Sequence, residues 1–305
     1  MKQKYNKICW RIGQEITPDT FIQADNYISS QHNLIRRLIA GKYYGLLPPP
    51  GETGAPSLTV KANLNNRDLY VDQLSCYGAT EAGYLISFDY ILMDSLPKKR
   101  LTIPDSNAGA FYVVLRVNPY QQVLIEPVDN DEAPEAHSTY ELAIRELGQI
   151  TADELAVVKI DNNSRLPAID NDYIPPCMSV NACANLYEVY ETVKVLITDI
   201  RSIIEHKKEQ FGKLMYPLTL LRHELDEFSQ DDPPVALVRF IKKFMVTCQF
   251  FIPDIRKIVQ SNSIATYCHD DVMLIFKSLL SCLHEVKLMI GKVEIVEEED
   301  FTPKI

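Results

Sequence analysis

The sequence contains no apolar run approaching the ~20 residues that a membrane-spanning helix needs. Its opening, Met1 to Trp10, mixes Lys2, Lys4 and Lys7 with polar groups and holds no apolar segment of secretory length. The expectation is a protein of the cytoplasm, or of the cytoplasmic side of a membrane assembly, with no direct membrane insertion. Closely spaced cysteines are missing too. Cys9, Cys76, Cys177, Cys183, Cys248, Cys268 and Cys282 stand singly, with no Cys-x-x-Cys pair, which argues for reduced thiols rather than a disulfide frame. The nearest approach to a zinc ligand set is Cys268-His269 with Cys282 and His284, yet adjacent residues on a helix diverge and cannot share one ion.

The signatures of common chemistries are also wanting. Gly51-Glu52-Thr53-Gly54 lacks the lysine of a phosphate-cradling loop, and Gly41-Lys42, Gly212-Lys213 and Gly291-Lys292 lack the upstream glycine and the hydroxyl that should follow. No Gly-x-Ser-x-Gly elbow occurs, and none of His32, His137, His206, His223, His269 or His284 has a nucleophile partner visible in the sequence. Asp129-Asn130-Asp131-Glu132 lacks the glycine and the terminal glutamate of a calcium loop and reads as a connection between strands. No enzyme activity, metal or cofactor is expected.

What is present is ample core material: 305 residues, 46% of them apolar. With 31 basic against 41 acidic residues, the formal charge of −10 repels nucleic acid phosphates, so nucleic acid is not expected as a partner.

Residues 1–180 read as a β-rich domain. Apolar and polar residues alternate in Leu69 to Leu74, Tyr84 to Tyr90 and Phe111 to Val117, each rich in aromatic or β-branched side chains. Tyr140 to Leu147 and Leu155 to Asp161 read as strands as well, although Thr151 and Glu154 are spaced like a helix capping box. A short helix is expected near 19–40, where Phe21, Tyr27, Ile28, Leu34, Ile35 and Leu38 recur at helical intervals before Gly41 and Gly45. Pro48-Pro49-Pro50-Gly51 then makes a stiff exposed turn.

Beyond Ile174-Pro175-Pro176-Cys177 the period changes. Leu186, Val189, Val193, Leu196, Ile200 and Ile203 form one stripe of a long helix. Further helices are expected over about 212–228, 234–259 and 268–293, with Pro253 kinking or ending the third early. Residues 181–295 thus read as a four-helix bundle, and 296–305, with Glu297-Glu298-Glu299-Asp300, as a flexible acidic tail. The Leu186 to Ile203 stripe could be covered inside such a bundle or by copies of itself about a threefold axis. The fold class expected is α+β and multidomain: a β-sandwich followed by a helical bundle.

Three segments carry a resemblance. Trp10 to Phe21, with Gly13 and Pro18 inside it and Asp25-Asn26-Tyr27 after it, resembles the opening of the TssK family of type VI secretion baseplate components. Tyr44-Gly45-Leu46-Leu47 is similar to that family's Tyr/Trp-Gly segment. Tyr173 to Val180 is similar to its Phe-Ile-Pro-Pro-Cys-Leu-x-Ile junction. The resemblance implies a β-sandwich shell, a helical neck, a homotrimer, and binding to the wedge proteins TssF and TssG, with kinship to the shoulder of phage receptor-binding proteins. It also implies a membrane-complex partner of uncertain identity, because the family continues into a C-terminal head and this sequence is expected to be a short form without one.

Under that reading Trp10, Gly13, Pro18, Phe21 and Tyr27 are interface candidates, Trp10 and Phe21 serving as core anchors or as protein contacts. Ile174, Pro175, Pro176 and Cys177 mark the junction between domains, where two prolines fix φ and stiffen the chain. The alternatives are a connector resembling phage tail receptor-binding proteins, and a carbohydrate-binding or hydrolytic β-sandwich with a helical appendage.

Overall fold

The computed structural model describes residues 5–50, 56–125, 135–163, 166–262 and 264–292. Gly51 to Gly54, the Asp129 to Glu132 cluster and the tail 296–305 lie outside the described residues. The chain is α+β and divides into two compact units: residues 1–184 with 269–271, and residues 185–268 with 272–305.

In the first unit, α1 (Pro18–Ala40) begins at Thr17, whose N–H donates to Thr20 Oγ1 at 3.3 Å, and carries Pro18 at the position where a missing N–H costs least. It ends at Gly41, whose N–H reaches Arg37 O at 3.0 Å. Two antiparallel sheets follow. In the first, β3 (Asp68–Ala79) is central and pairs with β1 (Gly45–Leu46), β2 (Leu58–Asn65), β4 (Leu85–Phe88) and β5 (Arg100–Thr102). In the second, the order is β7 (Glu135–Arg145), β6 (Ala110–Ile125), β8 (Glu154–Asp161), β9 (Ala168–Ile169).

Alternation places Leu69, Val71, Leu74 and Cys76 of β3 inside. Burial pushes the Cys76 thiol up to about 12, so it is an inert apolar filler. Strand β6 buries both faces. Tyr112 and Val114 pack with Ala156 and Tyr173 on one. On the other, Tyr140, opposite Val117, stands edge-on to Phe88 of the first sheet at 5.0 Å, and its hydroxyl donates to Ser87 O at 3.1 Å. Burial pushes that phenol to about 12.

The Thr151/Glu154 spacing closes a turn rather than opening a helix. Glu154 Oε2 accepts the Thr151 N–H at 2.9 Å, while Arg145 at 2.9 Å and Arg116 at 3.4 Å neutralise its buried carboxylate. The run Leu155 to Val158 that follows is buried throughout, and a stretch covered on both faces favours a central strand.

The second unit is helical: α2 (Ala184–His206), α3 (Lys208–Asp226), α4 (Pro234–Phe251), α5 (Ile255–Ser261) and α6 (Met273–Lys292). Where the sequence suggested four helices there are five among the described residues, because Pro253 ends the third and the chain restarts as α5. Of the α2 stripe, Leu186, Val189, Val193, Leu196 and Ile200 are buried and Ile203 is half-buried, so the stripe is covered within the chain. Polar ties add to that packing: Lys287 Nζ to Asp199 at 2.6 Å, and Lys207 Nζ to Gly291 O at 2.8 Å. Among the described residues no helix is long and apolar enough to cross a membrane.

Candidate functional site

Two of the segments singled out in the sequence meet inside the first unit. Gly45-Leu46 and Pro176-Cys177, some 130 residues apart, form a parallel bridge in which the Leu46 N–H donates to Pro176 O at 2.8 Å and the Met178 N–H to Leu46 O at 3.0 Å. Gly45 has φ +119°, and a Cβ there would lie 2.0 Å from Pro176 O. Only glycine lets these two backbones come together. Ile174, Pro175, Pro176 and Cys177 are all buried in this unit, and the Cys177 Sγ–H donates to Pro175 O at 3.2 Å. Burial holds that thiol well above its usual range.

A third segment, invisible as a partner in the sequence, completes the node. His269, Asp270 and Asp271 leave the helical half and pack in the β-unit. His269 Nε2 lies 2.6 Å from Tyr44 O and 3.2 Å from Tyr44 N, and one ring nitrogen cannot serve both. The shorter contact assigns the hydrogen to Nε2, donating to the carbonyl. The ring stands edge-on to Tyr44 at 4.7 Å, and burial holds the imidazole below its ordinary value, outweighing Tyr44 O and Asp270. Asp270 accepts the Tyr44 hydroxyl at 2.5 Å, and its own carbonyl accepts the Tyr173 hydroxyl at 2.8 Å.

Asp271 is buried against Lys159 at 2.9 Å and the Tyr112 hydroxyl at 3.2 Å, while Lys159 also reaches Asp170 at 3.2 Å. Burial opposes the Lys159 charge, but the two carboxylates outweigh it and hold its pKa above the usual value. The helix expected from 268 therefore starts only at Met273, because residues 269–271 are drawn into these contacts. The sequence signal was an acidic pair after a histidine, which reads equally well as the first turn of a helix.

The N-terminal arm is the opposite kind of surface. Trp10 is 54% exposed and Gly13 and Pro18 are exposed; Phe21 on α1 is exposed and Tyr27 half-buried. Neither Trp10 nor Phe21 is a core anchor. Helix α1 lays its polar face on the β-unit: Asn33 is only 5% exposed, donates from Nδ2 to the Tyr120 hydroxyl at 3.4 Å, and has its carbonyl against Gly83. The apolar side chains Phe21, Ile28, Leu34, Ile35, Leu38 and Ile39 are exposed.

Below α1 runs a cleft of about 1050 Å³, walled by Asn33 and Arg37 on one side and by Tyr84, Tyr120, Tyr140 and Arg116 on the other. It contains neither histidine nor cysteine, and Arg116 is committed to Asp153 at 3.1 Å. His137 sits on β7 beside Glu135 at 3.1 Å, away from that cleft's lining. Among the described residues no group of three His, Cys, Asp or Glu is placed to hold a metal ion.

No protein family matches the chain by sequence, and no curated protein does. Solved structures match it in shape. A TssK crystal structure superposes over 96% of this chain and 71% of its own, with a TM-score of 0.62 at 14% identity. The chain has the TssK fold. A chain of the cryo-electron microscopy structure of a type VI secretion TssK-TssF-TssG baseplate subcomplex matches over 94% of this chain and all of its own (TM-score 0.59, 13% identity). Another, from a type VI secretion baseplate complex, matches over 93% and all of its own (TM-score 0.59, 16% identity). The bridged node and the exposed arm with α1 both belong to the first unit.

Proposed function

We propose that the chain is a structural component of a type VI secretion baseplate: a homotrimeric adaptor, without turnover chemistry, that joins a TssF/TssG wedge to the membrane-anchoring machinery. The observation that carries this reading is the TssK fold over 96% of the chain, shared with a chain solved within a TssK-TssF-TssG subcomplex. In this reading the β-unit is the shell that meets the wedge, the helical unit is the neck, and the protein works in the cytoplasm, docked at the inner membrane. The interface centres on the arm at Trp10, Gly13 and Pro18 and the start of α1 at Phe21 and Tyr27. The exposure of Trp10 supports this, since a large aromatic side chain left in water is the residue type that dominates protein contacts. Cys177 and its prolines act as scaffold rather than contact, because they are buried.

The test is capture of co-expressed TssF and TssG from the same gene cluster by the tagged chain. Wild type retains them, and Trp10→Ala lowers their apparent affinity by about tenfold or more, as truncating an aromatic anchor does. A wild-type chain that captures neither protein sinks the adaptor reading. Undiminished capture by a folded Trp10→Ala chain removes the arm from the interface.

A further inference from the structure

Two cysteines near the end of the first unit stand together. Cys177 is fully buried, and its Sγ–H donates to Pro175 O at 3.2 Å. The same sulfur is in hydrogen-bonding contact with the thiol of Cys183, which is half-buried. The five residues between them are held in a compact turn: the Ala182 N–H donates to Ser179 O at 3.4 Å, and Ser179 Oγ to Asn181 Oδ1 at 2.6 Å.

The two thiols differ in what they face. Cys183 immediately precedes α2 and has extended backbone (φ −137°, ψ 129°), as a residue at a helix N-cap does. It stands at the end of a 23-residue helix where negative charge is stabilised, and its partial exposure opens it to a small reagent. Cys177 lies deeper, at 0% exposure, where burial favours the neutral thiol. Its single hydrogen can turn from Pro175 O to a Cys183 thiolate, so the buried thiol offers the outer sulfur a donor.

We propose that Cys183 and Cys177 form a peroxide-responsive pair, in which Cys183 is oxidised first and Cys177 resolves it into a disulfide. The Cys183 thiolate attacks one oxygen of hydrogen peroxide. An S–O bond forms, the O–O bond breaks, and the hydroxide released takes up the proton that Cys183 shed. The Cys177 sulfur then attacks the sulfenic sulfur. The S–S bond forms, the S–O bond breaks, and a second water leaves with the Cys177 proton. Two thiols are oxidised and one peroxide is reduced to two waters. A dithiol reductant reverses the bond by exchange.

Position gives the bond its consequence. Cys177 belongs to the segment bridged to Leu46, and Cys183 is the last residue before α2. The disulfide closes the ring 177–183, so the segment leading into α2 is fixed to the bridged node in the oxidised chain and released in the reduced one. Cys76 also lies near Cys177, but at 2% exposure on β3 it is shut off from an oxidant.

The experiment uses the full chain carrying Cys9→Ser, since Cys9 is exposed and would react. The chain is treated with hydrogen peroxide, blocked with iodoacetamide and mapped by mass spectrometry, with Cys268, also half-buried, as the reference thiol. A peptide spanning Cys177 and Cys183 should lose about 2 Da, the two thiol hydrogens, and both cysteines should be alkylated only after reduction with dithiothreitol. Cys183→Ser should abolish that product. Cys177→Ala should leave a Cys183 sulfenic acid that dimedone traps and that the parent chain does not accumulate. If Cys177→Ala fails to fold, the parent chain and Cys183→Ser decide by themselves. The pair is overturned if Cys183 is oxidised no faster than Cys268, if it passes to sulfinic acid without linking, or if the link found joins Cys177 to Cys76.

Discussion

Helices α1 and α2 are both 23 residues long and equally amphipathic in sequence, yet they behave as opposites. Helix α2 buries eight residues of its stripe, among them Leu186, Val193 and Ile200, whereas α1 buries one residue, the polar Asn33. The difference lies in what the rest of each unit offers. Around α2 stand further apolar helices, and Tyr190 stacks on Phe228 at 5.5 Å. Beneath α1 lies a polar turn and cleft with Gly83, Tyr84 and Tyr120, which suits amides better than isoleucines. A stripe tells that a helix has a partner. It does not tell whether that partner is in the same chain.

Ile200→Ala should break the comparison most forcefully. Its side chain is fully buried, and truncation should cost about 2–5 kcal/mol, seen as a lower urea midpoint with an unchanged slope. A shift near zero would mean that the α2 stripe is not packed as described.

The node where the chain leaves α1, at Tyr43 and Tyr44, gives an intermediate effect with a pH signature. Burial keeps His269 below its ordinary value of 6.5, so the unfolded chain takes up the proton first. Stability contributed there is present above about pH 6.5 and is lost as pH falls below that value toward the folded pKa. The urea midpoint of wild type should therefore drop between pH 7.5 and 5.5 by more than that of His269→Gln. Equal drops would show that the imidazole is not buried against Tyr44.

The smallest effect belongs to α1 itself. Ile35→Ala removes an exposed side chain, so the unfolding free energy of the subunit should stay within about 0.5 kcal/mol of wild type. If the loss instead equals that of Ile200→Ala, α1 and α2 do not differ and the stripe is satisfied within one chain.

Much of the fold was legible because it rests on local patterns. Alternation marked β3, β6 and β7, and the shift to helical spacing marked α2. Some local signals were overridden by distant contacts. Thr151 and Glu154 do bond as a capping pair would, yet the strand expected over Leu155 to Asp161 is present, because the buried run after them commits the chain to it. Cys268 looked like a helix start until the contacts of His269 and Asp271 with Tyr44 and Lys159 took those residues out of the helix. Of the candidate site, the sequence marked Tyr44-Gly45 and Pro176-Cys177 separately and could not join them, since nothing in either segment encodes a partner 130 positions away.

The sequence by itself determined the element types, the absence of readable catalytic motifs and the presence of two apolar stripes, because propensity and periodicity are properties of neighbouring residues. Only the tertiary structure decided which stripe is inside, that Gly45 meets Pro176, and that Asp271 neutralises Lys159 in a buried pocket. Those outcomes depend on which surfaces compete for burial once the chain has folded, and that competition is settled between residues far apart in sequence.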